Sequence, residues 1–115
     1  MKRLSKARIP LEKEIQKTIL DYLRLKGYFC WKNNTAGIFD QRSKSYIPSH
    51  NVGAPDIFVI VPPLGRCIAI EVKRPGNYQS QEQKEWQKRH EKSGGIYWLV
   101  YSIDELIQLE KSCQS

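Results

Sequence analysis

Asp56, Glu71 and Lys73 are the residues whose types and spacing could do chemistry together. Gly53-Ala54-Pro55 leads into an apolar run at 56–61, and a second apolar run at 67–72 follows after Pro62-Pro63-Leu64-Gly65-Arg66. Alternate side chains of a strand share a face, so Ala69, Glu71 and Lys73 point one way and Ile68, Ile70 and Val72 the other. If the two runs pair as a hairpin, Asp56 lies beside Glu71 and Lys73 at one edge of the sheet. Two carboxylates so placed resist ionising together. A hard divalent cation removes that penalty, and Mg²⁺ characteristically takes one or two carboxylates with waters and phosphate oxygens. Such an ion polarises a phosphoryl group and lowers the pKa of a bound water from about 15.7 towards neutrality. A neighbouring ammonium can orient that water or steady charge in the transition state. The chemistry implied is phosphodiester hydrolysis. An isolated E-x-K reads more simply as an ion pair on an edge strand; the longer order P-D-x14-E-x-K, set on two strands, favours a site.

That order reproduces the signature of the PD-(D/E)xK nuclease superfamily. The chain more narrowly resembles the VRR-NUC family, the virus-type replication-repair nucleases. The elements that carry the resemblance are E-x-x-I-Q at 12–16, an aromatic and Asn-containing stretch at 31–37, G-x-P-D at 53–56, I-E-V-K-x-P at 70–75 and S-x-x-Q-x-x-W at 80–86. The resemblance spans residues 11–101. It implies a restriction-endonuclease-like α/β fold, a mixed central sheet flanked by helices. It also implies a catalytic Mg²⁺ or Mn²⁺, with Asp56, Glu71 and the backbone carbonyl of Val72 as ligands and Lys73 as the catalytic lysine. Gln83 matches the family glutamine, suited to orient the attacking water or contact phosphate. Members consisting of this domain alone look like homodimeric, phage-type enzymes acting on branched DNA such as Holliday junctions.

Helix phase adds a fourth residue. The apolar positions Leu11, Ile15, Ile19, Leu20, Tyr22 and Leu23 recur at helical spacing. Glu12 and Gln16 fall towards that stripe, whereas Glu14 and Asp21 fall away from it. A carboxylate on a core-facing stripe is costly unless paired or metal-bound, which selects Glu12, matching the family's helix glutamate, as an outer or water-mediated metal ligand. The simpler reading of Glu12 is a half-exposed acid favoured by the helix dipole.

The elements that must position these residues follow from local pattern. A helix is expected from near Pro10 to Gly27, a proline start and a glycine stop. A strand follows at 28–32. Residues 33–55, rich in Asn, Ser, Gly and Pro, read as a long irregular excursion of the functional or disordered kind. After the hairpin come a polar helix over 79–93, an apolar strand at 96–101, and a last helix opened by the capping-box pair Ser102 and Glu105. The expected order is α, β, long loop, β, β, α, β, α in one domain, with residues 1–9 a basic, mobile arm. In the polar helix, Gln79, Gln83, Trp86 and His90 share a sector, with Trp86 the anchor and His90 structural or solvent-facing.

With 19 Lys and Arg against 12 Asp and Glu, the net charge of +7 suits a polyanionic partner. Lys84, Lys88 and Lys92 form a helical row that is either a solvated face or a DNA contact. Asn33, Asn34, Arg42 and Lys44 are further candidates for the DNA backbone or a flipped strand, Arg74 for a DNA contact, and Tyr46 for base stacking. His50 in the loop is left without a catalytic role. No zinc finger or helix-turn-helix recognition helix is visible. The three cysteines, Cys30, Cys67 and Cys113, form neither a metal knuckle nor a disulfide framework, so a reduced, cytoplasmic protein is expected (host cytoplasm for a phage-encoded enzyme). The longest apolar run is about six residues, against the ~20 that span a bilayer.

Overall fold

The computed structural model describes residues 9–33, 38–47 and 52–113. Helix α1, Glu12–Leu25, begins two residues past Pro10 and buries Ile15, Gln16, Ile19, Leu20 and Leu23 as a single stripe. Its N-cap, Leu11, makes no side-chain cap and stays 47% exposed, because an extended residue lies outside the helical phase that the core-facing expectation assumed. Gly27 ends the helix at φ +86°, and the Tyr28 N–H turns back to the Leu23 carbonyl at 3.0 Å, the left-handed stop that glycine permits.

Four strands form the central sheet in the order β1 (Phe29–Lys32), β4 (Ile57–Val61), β5 (Arg66–Val72), β6 (Ile96–Val100). The pairs β1–β4 and β4–β5 are antiparallel, and β5–β6 is parallel. A parallel pair needs a crossover, supplied by α2, Gln81–Lys92. Helix α3, Ile103–Cys113, follows β6. Ile57, Val59, Ile68, Ile70 and Val72 pack with α1's stripe and with Leu106 of α3 in one core. The alternate face meets α2 through Trp86, whose ring lies 5.9 Å from Phe58 and 6.2 Å from Tyr97. Covered on both sides, β5 is buried from Ile68 to Val72. That is why its sequence carries apolar residues at both parities up to Glu71.

The excursion expected at 33–55 is not wholly irregular. Ile38–Asp40 (β2) and Ser45–Ile47 (β3) pair as an antiparallel two-stranded sheet, with Lys44 at φ +53° in the turn. Three-residue strands around a polar turn leave no alternation long enough to stand out in sequence. Among the described residues no helix is long and apolar enough to cross a membrane. Asn34, His50 and residues 1–8 of the basic arm lie outside the described residues.

Candidate active site

The β4–β5 register pairs Ile57 with Ile70, and Asp56 N–H donates to the Ile70 carbonyl at 3.1 Å. Asp56 therefore stands opposite Glu71, at the end of the sheet where the first turns of α1 and α2 arrive. One carboxylate oxygen from each of Glu12, Asp56 and Glu71 falls within a 4.8 Å cluster. Lys73 Nζ lies 3.8 Å from Glu71 Oε1, and the Lys73 N–H is fixed to the Val100 carbonyl at 3.0 Å.

Each side chain is held by an identifiable local device. Asp56 Oδ2 accepts the Val72 N–H at 2.9 Å, so the Glu71–Val72 peptide orients Asp56. Asn33 clamps the other side, donating its N–H to the Asp56 carbonyl at 2.7 Å and Nδ2 to the Pro55 carbonyl at 3.2 Å. Gln83 completes a capping box on Ser80: its Oε1 accepts the Ser80 N–H at 2.9 Å and its own N–H donates to Ser80 Oγ at 3.1 Å. That box leaves Gln83 Nε2 free to donate to Glu71 Oε1 at 2.9 Å. Gly53, at φ +85°, packs so closely on the Glu82 carbonyl that a Cβ there would collide with it. The segment before Asp56 and the first turn of α2 are thus fitted to each other.

The carboxylates crowd one another electrostatically. Glu71 Oε2 is buried with no donor facing it. Burial, then the Asp56 charge, pushes the Glu71 carboxyl up to about 8, with Lys73 opposing. Burial also raises Asp56, against the Val72 N–H, Lys73 and hydrogen bonds from Glu71 and Gln16, which hold it down. Glu12 is raised by burial and then by Asp56. Three crowded carboxylates, with one Glu71 oxygen left without a partner, are a donor set that a hard divalent cation satisfies.

The sequence candidates distribute unevenly around this centre. Glu12, Asp56, Glu71, Lys73 and Gln83 come together; Val72 sits between two of them. Gln16, buried one turn beyond Glu12 and bonded to Asp56, joins them. Its place on the same stripe was the available signal, but a glutamine there did not stand out. Arg74 is engaged elsewhere, Nε donating to the Pro10 carbonyl and an Nη to that of Ile9, each at 3.1 Å. Lys84 and Lys88 are exposed on α2, and Arg42 and Lys44 lie in the β2–β3 turn. His90 is structural: it stacks on Trp86 with centroids 5.0 Å apart, and Nε2 lies 3.1 and 3.0 Å from the Cys67 and Ile96 carbonyls.

The architecture is a small α/β domain, a four-stranded mixed sheet with three helices, that carries a carboxylate–lysine cluster at one end of the sheet. Within that class the chain has the fold of the VRR_NUC domain. It superposes on one solved structure described as a VRR_NUC domain with a TM-score of 0.64 and 24% identity, covering 87% of this chain and 94% of the other. A second, a VRR_NUC domain protein, gives 0.67 and 19%, covering 90% and 88%. Neither protein-family models nor curated proteins give a match. The motif order and the backbone point to the same fold.

Proposed function

We propose that this chain is a divalent-metal-dependent deoxyribonuclease of the VRR-NUC type that hydrolyses phosphodiester bonds. The observation that carries this reading is the convergence of Glu12, Asp56 and Glu71 beside Lys73 in a VRR_NUC fold. Asp56, Glu71 and the Val72 carbonyl would hold Mg²⁺ or Mn²⁺, with Glu12 as an outer ligand. When bound, the ion supplies Lewis acidity to a phosphoryl oxygen and to water. The chain's own groups do the rest. Lys73 offsets negative charge growing on the phosphoryl oxygens as water attacks phosphorus and the P–O bond to the leaving strand breaks. Glu12, half-buried at the rim of the cluster, receives the proton that the water loses, and the leaving oxygen takes a proton from solvent water. Gln83 acts through Glu71, fixing its carboxylate.

We further propose a structure-selective, homodimeric endonuclease acting on branched DNA of the Holliday-junction type. This rests on the resemblance to VRR-NUC domains and on symmetry: two sites related by a two-fold axis match a four-way junction. The test is cleavage of linear duplex, plasmid and four-way-junction DNA with Mg²⁺ or Mn²⁺, by the wild type, Asp56→Ala and Lys73→Ala, alongside solution mass. Metal-dependent junction cutting by a dimer, abolished in both variants, is expected. A monomer that cuts linear duplex equally well supports a nonspecific or nicking nuclease of the same fold. Binding without metal-dependent cutting, unchanged by either substitution, reduces the chain to a DNA-binding module with a vestigial site.

A further inference from the structure

A row of aromatic rings leads from the open edge of the sheet to α2. Phe29 and Trp31 on edge strand β1 have centroids 5.4 Å apart; Trp31 lies 5.7 Å from Phe58, and Phe58 lies 5.9 Å from Trp86. Phe29 is 70% and Trp31 39% exposed, and large apolar rings left open on one face mark a contact surface. The register fixes which face this is. Trp31 opposes Phe58, which opposes Ala69, so the rings stand on the side of the sheet that carries Glu71. Two residues beyond Trp31, Asn33 is bonded to Asp56. That offset is about 6.6 Å of strand, or about two base steps of stacked nucleic acid.

We propose that Phe29 and Trp31 form a stacking platform for unpaired bases of the substrate strand, beside the scissile phosphate. This rests on the nuclease reading and names its substrate class: a strand that is single or opened next to the cut. Aromatic faces stack on any base and need no sequence. The groove wall along α2 favours bases over a duplex. Beside Trp86, among the described residues, it carries Glu82 and Glu85 against Arg89, so it attracts a phosphate backbone weakly while the rings accept bases. The net charge of +7 supplies the attraction for the strand as a whole.

The test is fluorescence anisotropy in EDTA, with full-length protein and a labelled oligothymidylate or a blunt duplex of the same length. Phe29→Ala and Trp31→Ala, made at exposed positions, are each expected to weaken single-strand binding ~5–150-fold, the worth of one stacked base, and to leave duplex binding within about twofold of wild type. Trp31→Phe keeps a ring and restores most of the affinity. Equal loss on both DNAs, or no loss on the single strand, overturns the proposal. So does a fall in solution mass in the alanine variants, which assigns the face to a second copy of the chain. Binding is read without metal, so ring-dependent single-strand affinity in a protein that cuts nothing with Mg²⁺ overturns the nuclease reading alone.

Discussion

Glu71 carries two different oxygens: Oε1 holds Gln83 and faces Lys73, and Oε2 faces no donor. A proton or a cation must serve the second. In the folded, metal-free chain the carboxyl sits at about 8, against 4.5 for an unburied glutamate. Between those values the folded state binds the extra proton, so metal-free stability falls as pH rises through that window. A divalent ion competes with the proton, so the stabilisation it gives grows over the same range. Thermal melts in EDTA and in Mg²⁺ should therefore diverge as pH increases; parallel curves would remove Glu71 as a metal ligand. Lys73→Ala should lower the cleavage rate by about 10²–10³-fold, as for loss of one preorganised donor to a transition state, with the melting temperature and DNA affinity nearly unchanged. Normal turnover by that variant would exclude the lysine from the mechanism. The sequence made Asp56, Glu71 and Lys73 legible because strand alternation and motif spacing are both local. Gln16 and Asn33 were less legible, since their bonds to the Asp56 segment depend on how α1 and β1 are brought alongside it.

Among the elements, α2 has the most to position. Ser80 and Gln83 form its capping box, and the same glutamine reaches Glu71. Ser80→Ala should cost about 1 kcal/mol and loosen Gln83, lowering the cleavage rate more than the melting temperature alone accounts for. Gly53→Ala should be the more damaging change, because it meets both a left-handed backbone and the Glu82 carbonyl. Denaturant melts paired with cleavage rates check both, and a Gly53→Ala protein indistinguishable from wild type would refute the fitted contact. The long periodic elements α1, α2 and α3 and the β4–β5 pair were legible from apolar spacing and turn residues. The β2–β3 pair was not: its strands are too short for a period, and polar residues dominate the segment. The helix face of Gln83 was legible as well, but not that one amide would serve cap and carboxylate together.

At the scale of the whole molecule, an excess of positive charge is joined to a site of concentrated negative charge. DNA affinity should fall steeply with added salt, with a log–log slope of about −0.9 for each duplex phosphate neutralised. Titration across salt concentrations measures it, and a flat response would deny the basic surface a role. The sheet is most securely packed around β5, whereas α2 has no fully buried residue and rests chiefly on Trp86, His90 and Gln83. Its amide hydrogens should exchange with solvent through a partial opening that costs less free energy than unfolding the sheet. Each such opening withdraws Gln83 from Glu71 while Asp56 and Lys73 stay in place on the strands. Catalytic competence would then be a local equilibrium, fading reversibly on warming before the fold itself melts.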